Sequence, residues 1–171
     1  MKVLFVIAQQ EFRDEELKIP YNIMRDKGVE CVVSSQERGQ CKGKLGMIQE
    51  AEIGIKEVSV DEFDAVIFIG GAGAIAYRDD LEAKRIIQDT VSQDKILAAI
   101  CIAPTVLAVH EVLEGKKATV WNKDGEQGKF IEAHGAVYTD CDVEVDGKII
   151  TANGPQSAEQ FAQNILDQLF S

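Results

Sequence analysis

The stretch Ile96-Leu97-Ala98-Ala99-Ile100-Cys101-Ile102-Ala103-Pro104-Thr105 decides the fold. Ile96–Ile100 is apolar throughout, with no polar alternation. That is the pattern of a strand buried on both faces, as in a parallel sheet covered by helices. Pro104 suits a first helical turn, where its missing N–H costs nothing. Strand and helix therefore meet at a sharp elbow, and the small residues Ala99 and Ala103 leave room for it. Cys101 stands at the carboxyl end of the strand, where open α/β sheets place ligands and where a nucleophile elbow presents its reactive group. N–H groups at the start of a helix favour a thiolate and lower its pKa. A buried cysteine packing as a small hydrophobe fits the same stretch equally well.

Outward from this elbow, apolar runs alternate with helical patterns, which reads as βαβ units in an α/β fold with a mainly parallel sheet. The predicted strands are Lys2–Ala8, Val29–Ser34, Ala65–Ile69 and Ile96–Ile100, with short ones at Ala118–Trp121 and Ala136–Tyr138. The predicted helices are Asp14–Lys27, Asp80–Val91, Ala103–Glu114 and Ser157–Phe170. Leu17, Tyr21 and Met24 share a face of the first helix, Gly28 stops it, and Pro20 fits only its early turns or a kink. Gly115 closes the third helix, and Ser157 is the expected N-cap of the last. Gln36–Glu52, polar and carrying three glycines, reads as a hairpin or irregular excursion; Val143–Thr151 reads as a hairpin turning at Asp146-Gly147. There is no repeat, low-complexity tract or linker, so the 171 residues are read as one domain, 1–171.

Composition excludes several functions. The net charge of −11 argues against a nucleic-acid partner, which needs clustered Lys and Arg. The longest apolar run at the N-terminus, Val3 to Ala8, is too short for a signal-peptide core or a bilayer span, so the chain is expected in the cytoplasm with no membrane partner. Cys31, Cys41, Cys101 and Cys141 are widely spaced and are expected as free thiols. His110 and His134 are the two histidines and neither lies beside a cysteine pair, so no metal site is expected.

Three further features bear on chemistry. Gly70-Gly71 ends a buried strand and should neighbour Cys101 on the crest, where its backbone N–H groups could hold an oxyanion; an ordinary tight turn explains it as well. Gly71-Ala72-Gly73-Ala74-Ile75-Ala76 matches a loose dinucleotide fingerprint, but the acidic residue expected about twenty positions on is absent. Glu15-Glu16 follows the first strand. Acidic residues in a first helical turn favour the macrodipole; alternatively one carboxyl reaches the crest and bonds the Cys101 sulfur. His110 lies two turns past the elbow and reads as structural. His134, ahead of a strand, is either a base approaching Cys101 or a solvated loop residue.

Together these residues resemble the ThiJ/PfpI superfamily, which includes the Parkinsonism-associated deglycase and the archaeal intracellular protease. The resemblance covers essentially the whole chain. Its anchors are Glu16 four residues before Pro20, the Gly70-Gly71 turn, Ala99 to Pro104 around Cys101, and Asn153-Gly154-Pro155 before the last helix. It implies a flavodoxin-like sandwich with helices on both faces and a homodimer. It implies that Cys101 is the nucleophile and Glu16 its protonated partner; in an enzyme of this kind the N–H groups of Gly71 and Ile102 could hold the oxyanion. It implies a small reactive carbonyl, or its adduct, as substrate, with no cofactor. A cysteine redox sensor without turnover is the alternative. The protease branch has a histidine directly after its cysteine, where this chain has Ile102, and an acidic residue near the position of Ile75, which argues against a peptidase. The deglycase-like branch has a histidine before the late hairpin; His134 lies one residue from the matching position, which Gly135 holds.

Overall fold

The structure, a computed structural model, describes residues 1–171. Twelve strands are present: β1 Lys2–Val6, β2 Gln10–Phe12, β3 Glu30–Ser35, β4 Gly39–Gly43, β5 Ile48–Ala51, β6 Ile53–Gly54, β7 Ala65–Phe68, β8 Ile96–Ile100, β9 Lys117–Ala118, β10 Val137–Tyr138, β11 Val143–Asp146 and β12 Ile149–Ala152. Five α-helices accompany them: α1 Asp14–Asp26, α2 Leu81–Ser92, α3 Pro104–Val109, α4 Gln127–Ala133 and α5 Ala158–Leu169. The main sheet runs β11-β12-β8-β7-β1-β3-β6 and is parallel except at the β11 edge. Its core order, β3-β1-β7-β8-β12, is the flavodoxin-like one, and the chain reverses its direction of travel across the sheet between β1 and β7.

Strand alternation divides the interior into two layers. Val3, Phe5 and Ile7 face Leu17 and Met24 of α1 and Phe161 and Ile165 of α5. Leu4 and Val6 face the opposite layer, with Ile86 and Ile87 of α2 and Val106 and Leu107 of α3. The long apolar runs of β1, β7 and β8 follow from this covering of both faces: every residue of β7 and β8 is buried.

A small second sheet, β2-β4-β5, realises the hairpin expected in 36–52, with β2 added in parallel beside β4. The late hairpin β11–β12 turns through Gly147 at φ +62°. Pro20 is accommodated within an unbroken α1, buried in its second turn.

Three local expectations are corrected. The helix after the elbow ends at Val109 rather than Glu114. Glu111 takes a left-handed φ of +66°, the Val112 N–H bonds the Leu107 carbonyl and the Glu111 N–H that of Ala108, which is a Schellman closure without glycine. Ser157 does not cap α5 with its side chain; a 3₁₀ turn, Pro155–Ser157, precedes that helix, and the Ser157 hydroxyl donates to Asn153 Oδ1 at 2.7 Å. The segment between Trp121 and Ala136, assigned no helix from its sequence, contains α4.

Candidate active site

Glu16, Gly70 and Cys101 arrive from three different βα connections, after β1, β7 and β8, and meet at the carboxyl edge of the sheet beside the reversal point. Cys101 holds φ at +64°. For a residue with a Cβ this left-handed conformation costs on the order of 1–3 kcal/mol and persists where its surroundings impose it. Here they do: the Cys101 N–H donates to the Ala152 carbonyl of β12 at 2.9 Å, and its own carbonyl accepts from the Trp121 N–H at 2.9 Å. The peptide is clamped on both sides, and the side chain is turned out at the crest, half-buried.

Gly70 is the spacer between the two ionisable groups. A Cβ added there would lie 2.6 Å from Cys101 Cβ and 2.6 Å from Glu16 Oε2. Gly70 instead donates its N–H to Glu16 Oε2 at 3.0 Å. Gly71, at φ +99°, passes so close to the Phe12 and Arg13 backbone that any side chain there would collide with it. Both glycines are thus required by close approach, beyond the needs of an ordinary turn.

Glu15 and Glu16 separate cleanly. Glu15 faces solvent and pairs with Arg13 at 2.9 Å. Glu16 lies on the inward face of α1 with Leu17, Pro20 and Met24 and is fully buried. Burial pushes its carboxyl up to about 8; the Cys101 side chain and the Gly70 N–H pull in the other direction. Its second oxygen, Oε1, is buried without a hydrogen-bond partner. Such an orphan is costly for a carboxylate and much less so for a carboxylic acid. Burial pushes the Cys101 thiol up as well, and Glu16 adds to this, while the N–H groups of Gly71 and Ile102 favour the thiolate. The backbone N–H groups at the helix start act on the thiol in the expected direction, while desolvation and the neighbouring acid oppose them. The two groups titrate as one coupled unit.

A cavity of about 350 Å³ opens above Cys101. Ile75, Ile102 and Trp121 give it apolar walls, and Arg13, Lys44 and Asp124 bring charge to it. His134 is not among its lining residues. It caps α4, with Nδ1 2.8 Å from the Phe130 carbonyl and its ring against the Phe130 ring at 4.7 Å. The sequence reading placed His134 as a candidate base near Cys101; its ring is engaged within α4 and does not line the cavity. His110 is structural as expected, its Nε2 2.8 Å from the buried Tyr77 carbonyl. Arg13, Lys44 and Trp121 were not singled out from the sequence. Trp121 alone left a trace, as the end of an expected short strand.

A doubly wound sheet carrying a cysteine elbow beside a buried acid defines the class. The profile of the DJ-1/PfpI family matches residues 1–168, and the chain belongs to that family. It is 35% identical over 155 residues to a Pyrococcus horikoshii protein named a deglycase, covering 91% of each. An uncharacterised Methanocaldococcus jannaschii protein is 37% identical over 166 residues, 96% of this chain and 80% of that one. Among solved structures, a ThiJ/PfpI domain protein from Brachyspira murdochii superposes with a TM-score of 0.94 at 32% identity, covering 99% of this chain and 96% of that one. No helix is long and apolar enough to cross a membrane.

Proposed function

We propose that the protein is a cysteine-dependent enzyme acting on small reactive carbonyls or their adducts, in the manner of a glyoxalase or deglycase. The observation that carries this reading is the strained, doubly clamped Cys101 beside a fully buried Glu16 with one free oxygen. Relatives named deglycases support it. In the first step the Cys101 sulfur bonds to the aldehyde carbon and the carbonyl π pair moves to oxygen. The thiol proton passes to one Glu16 oxygen as Glu16 releases its own proton to the new alkoxide, giving a hemithioacetal with no net change in protons. The N–H groups of Gly71 and Ile102 stabilise the oxygen charge as it develops. For methylglyoxal the overall change is addition of water to give lactate. A homodimer in the cytoplasm, without nucleic acid or membrane, completes the proposal.

Saturable consumption of methylglyoxal, abolished by Cys101→Ser and strongly reduced by Glu16→Gln, is the expected result. A redox-sensing role is the second reading, favoured by the orphan Glu16 oxygen, which as an O–H could donate to an oxidised sulfur. A protein that forms a stable Cys101 sulfinate with peroxide but consumes no carbonyl would decide for it.

A further inference from the structure

The cavity above Cys101 is charged against the trend of the chain. The sequence carries 29 acidic residues against 18 basic ones, yet two cations and one carboxylate border this cavity. The carboxylate, Asp124, is already engaged by the Glu126 N–H at 2.9 Å and by Gln127 Nε2 at 2.8 Å. The cations are less committed. Arg13 gives Nε and Nη2 to Glu15 at 2.9 and 3.2 Å, which orients the guanidinium and leaves Nη1 free. Lys44 belongs to no ion pair.

The fold also fixes where the two cations sit. The Lys44 N–H donates to the Phe12 carbonyl at 2.9 Å, beside Arg13. The next residue along, the buried Asp14, accepts the N–H of Leu45 at 2.9 Å and of Met47 at 2.7 Å. The fit is tight: a Cβ on Gly43 would lie 2.6 Å from the Asp14 carboxyl carbon. The turn that carries Lys44 is thus latched to the start of α1, and both cations line one cavity, whose other walls are the apolar Ile75, Ile102 and Trp121 and the mutually bonded Asp124 and Gln127.

We propose that Arg13 and Lys44 hold a carboxylate of the substrate, so that the substrates of this site are 2-oxoaldehydes bearing a carboxylate. The aldehyde carbon lies at Cys101 and the short carbon chain against Ile75, Ile102 and Trp121. This inference rests on the carbonyl reading of the site and deepens it by naming the substrate class.

Two measurements test it. The first compares 4,5-dioxopentanoate with 2-oxopentanal, which has a methyl group in place of the carboxylate. The expected kcat/KM ratio is about tenfold in favour of the anion, as two partly exposed charge contacts supply. It falls towards one in Arg13→Met/Lys44→Met and is kept in Arg13→Lys/Lys44→Arg, which retains both charges. The second needs no turnover: alkylation of Cys101 by the chloromethyl ketone 5-chloro-4-oxopentanoate, whose carboxylate has the same spacing from the reacting carbon, against neutral 1-chloropentan-2-one, read by mass spectrometry with glutathione as reference. The anionic-to-neutral rate ratio at Cys101 should exceed that of glutathione by about tenfold and drop to it in the double Met variant. A ratio equal to that of glutathione and unmoved by the variant overturns the proposal, even if 2-oxopentanal is consumed. A ratio that moves while neither oxoaldehyde is consumed upholds the carboxylate site and removes the carbonyl reading instead.

Discussion

Replacing Glu16 with glutamine removes an ionisable group from the most buried acidic position of the protein, and its effect on stability has a definite sign. The folded-state pKa is raised from 4.5 to about 8. Between those values the folded protein keeps a proton that the unfolded chain has lost, so stability falls as pH rises through this window. The slope is about 1.4 kcal/mol per pH unit for a single group, and between pH 5 and pH 7 the loss comes to about 2.5 kcal/mol. Glutamine still accepts the Gly70 N–H and cannot ionise. Its stability relative to the wild type should therefore rise by that amount over the same interval, whatever its constant offset. For a chain of this length the difference corresponds to about 5–10 °C in Tm. Denaturant unfolding of both proteins at pH 5, 6 and 7 measures it, and the difference between them cancels the general repulsion of a chain with net charge −11. A wild type and variant whose stabilities run parallel from pH 5 to pH 7 would refute the assignment of a neutral, buried Glu16.

Gly70→Ala should abolish carbonyl consumption and destabilise the fold by about 1–3 kcal/mol, because its Cβ meets Cys101 and Glu16 together; an active, stable variant would show that the crest has more room than described. His134→Ala should leave methylglyoxal consumption within about twofold of wild type, since the ring faces its own helix; a large loss of kcat would return it to the site. Casein should not be cleaved above the level of Cys101→Ser, as Ile102 and Ile75 offer no proton relay next to the thiol, and Cys101-dependent cleavage would contradict this.

The layered fold was legible because burial on both faces writes itself into β1, β7 and β8 as unbroken apolar runs. The elbow was legible because Pro104 marks where a helix starts. What the sequence hid was short or long-range. Helix α4 has seven residues, of which only Gly128 and Ile131 are buried, too few for a period to show. Strand β2 is three residues with one buried side chain and exists through pairing with β4, distant in the chain. The roles of Glu15 and Glu16 could not be divided by spacing alone; the orientation of α1 in its layer divides them, burying Glu16 and leaving Glu15 half-exposed beside Arg13. Arg13 and Lys44 carry no periodic signal, and their shared cavity depends on the Asp14 latch. His134 was the natural candidate for a base as one of only two histidines, and the unforeseen α4 engages its Nδ1 with the Phe130 carbonyl.

The N–H of Cys101 is satisfied by Ala152, and β8 receives its second neighbour from β12, close to the end of the chain. During synthesis, a chain made only as far as Gly147 therefore has β8 as an open edge and no clamp on the elbow's amide. The thiol exists early, but the conformation that makes it useful waits for Ile149–Ala152 to dock. Formation of the elbow is in this way tied to the docking of β12 beside β8, and a chain lacking Ile149–Ala152 is expected to carry an unstrained cysteine at position 101.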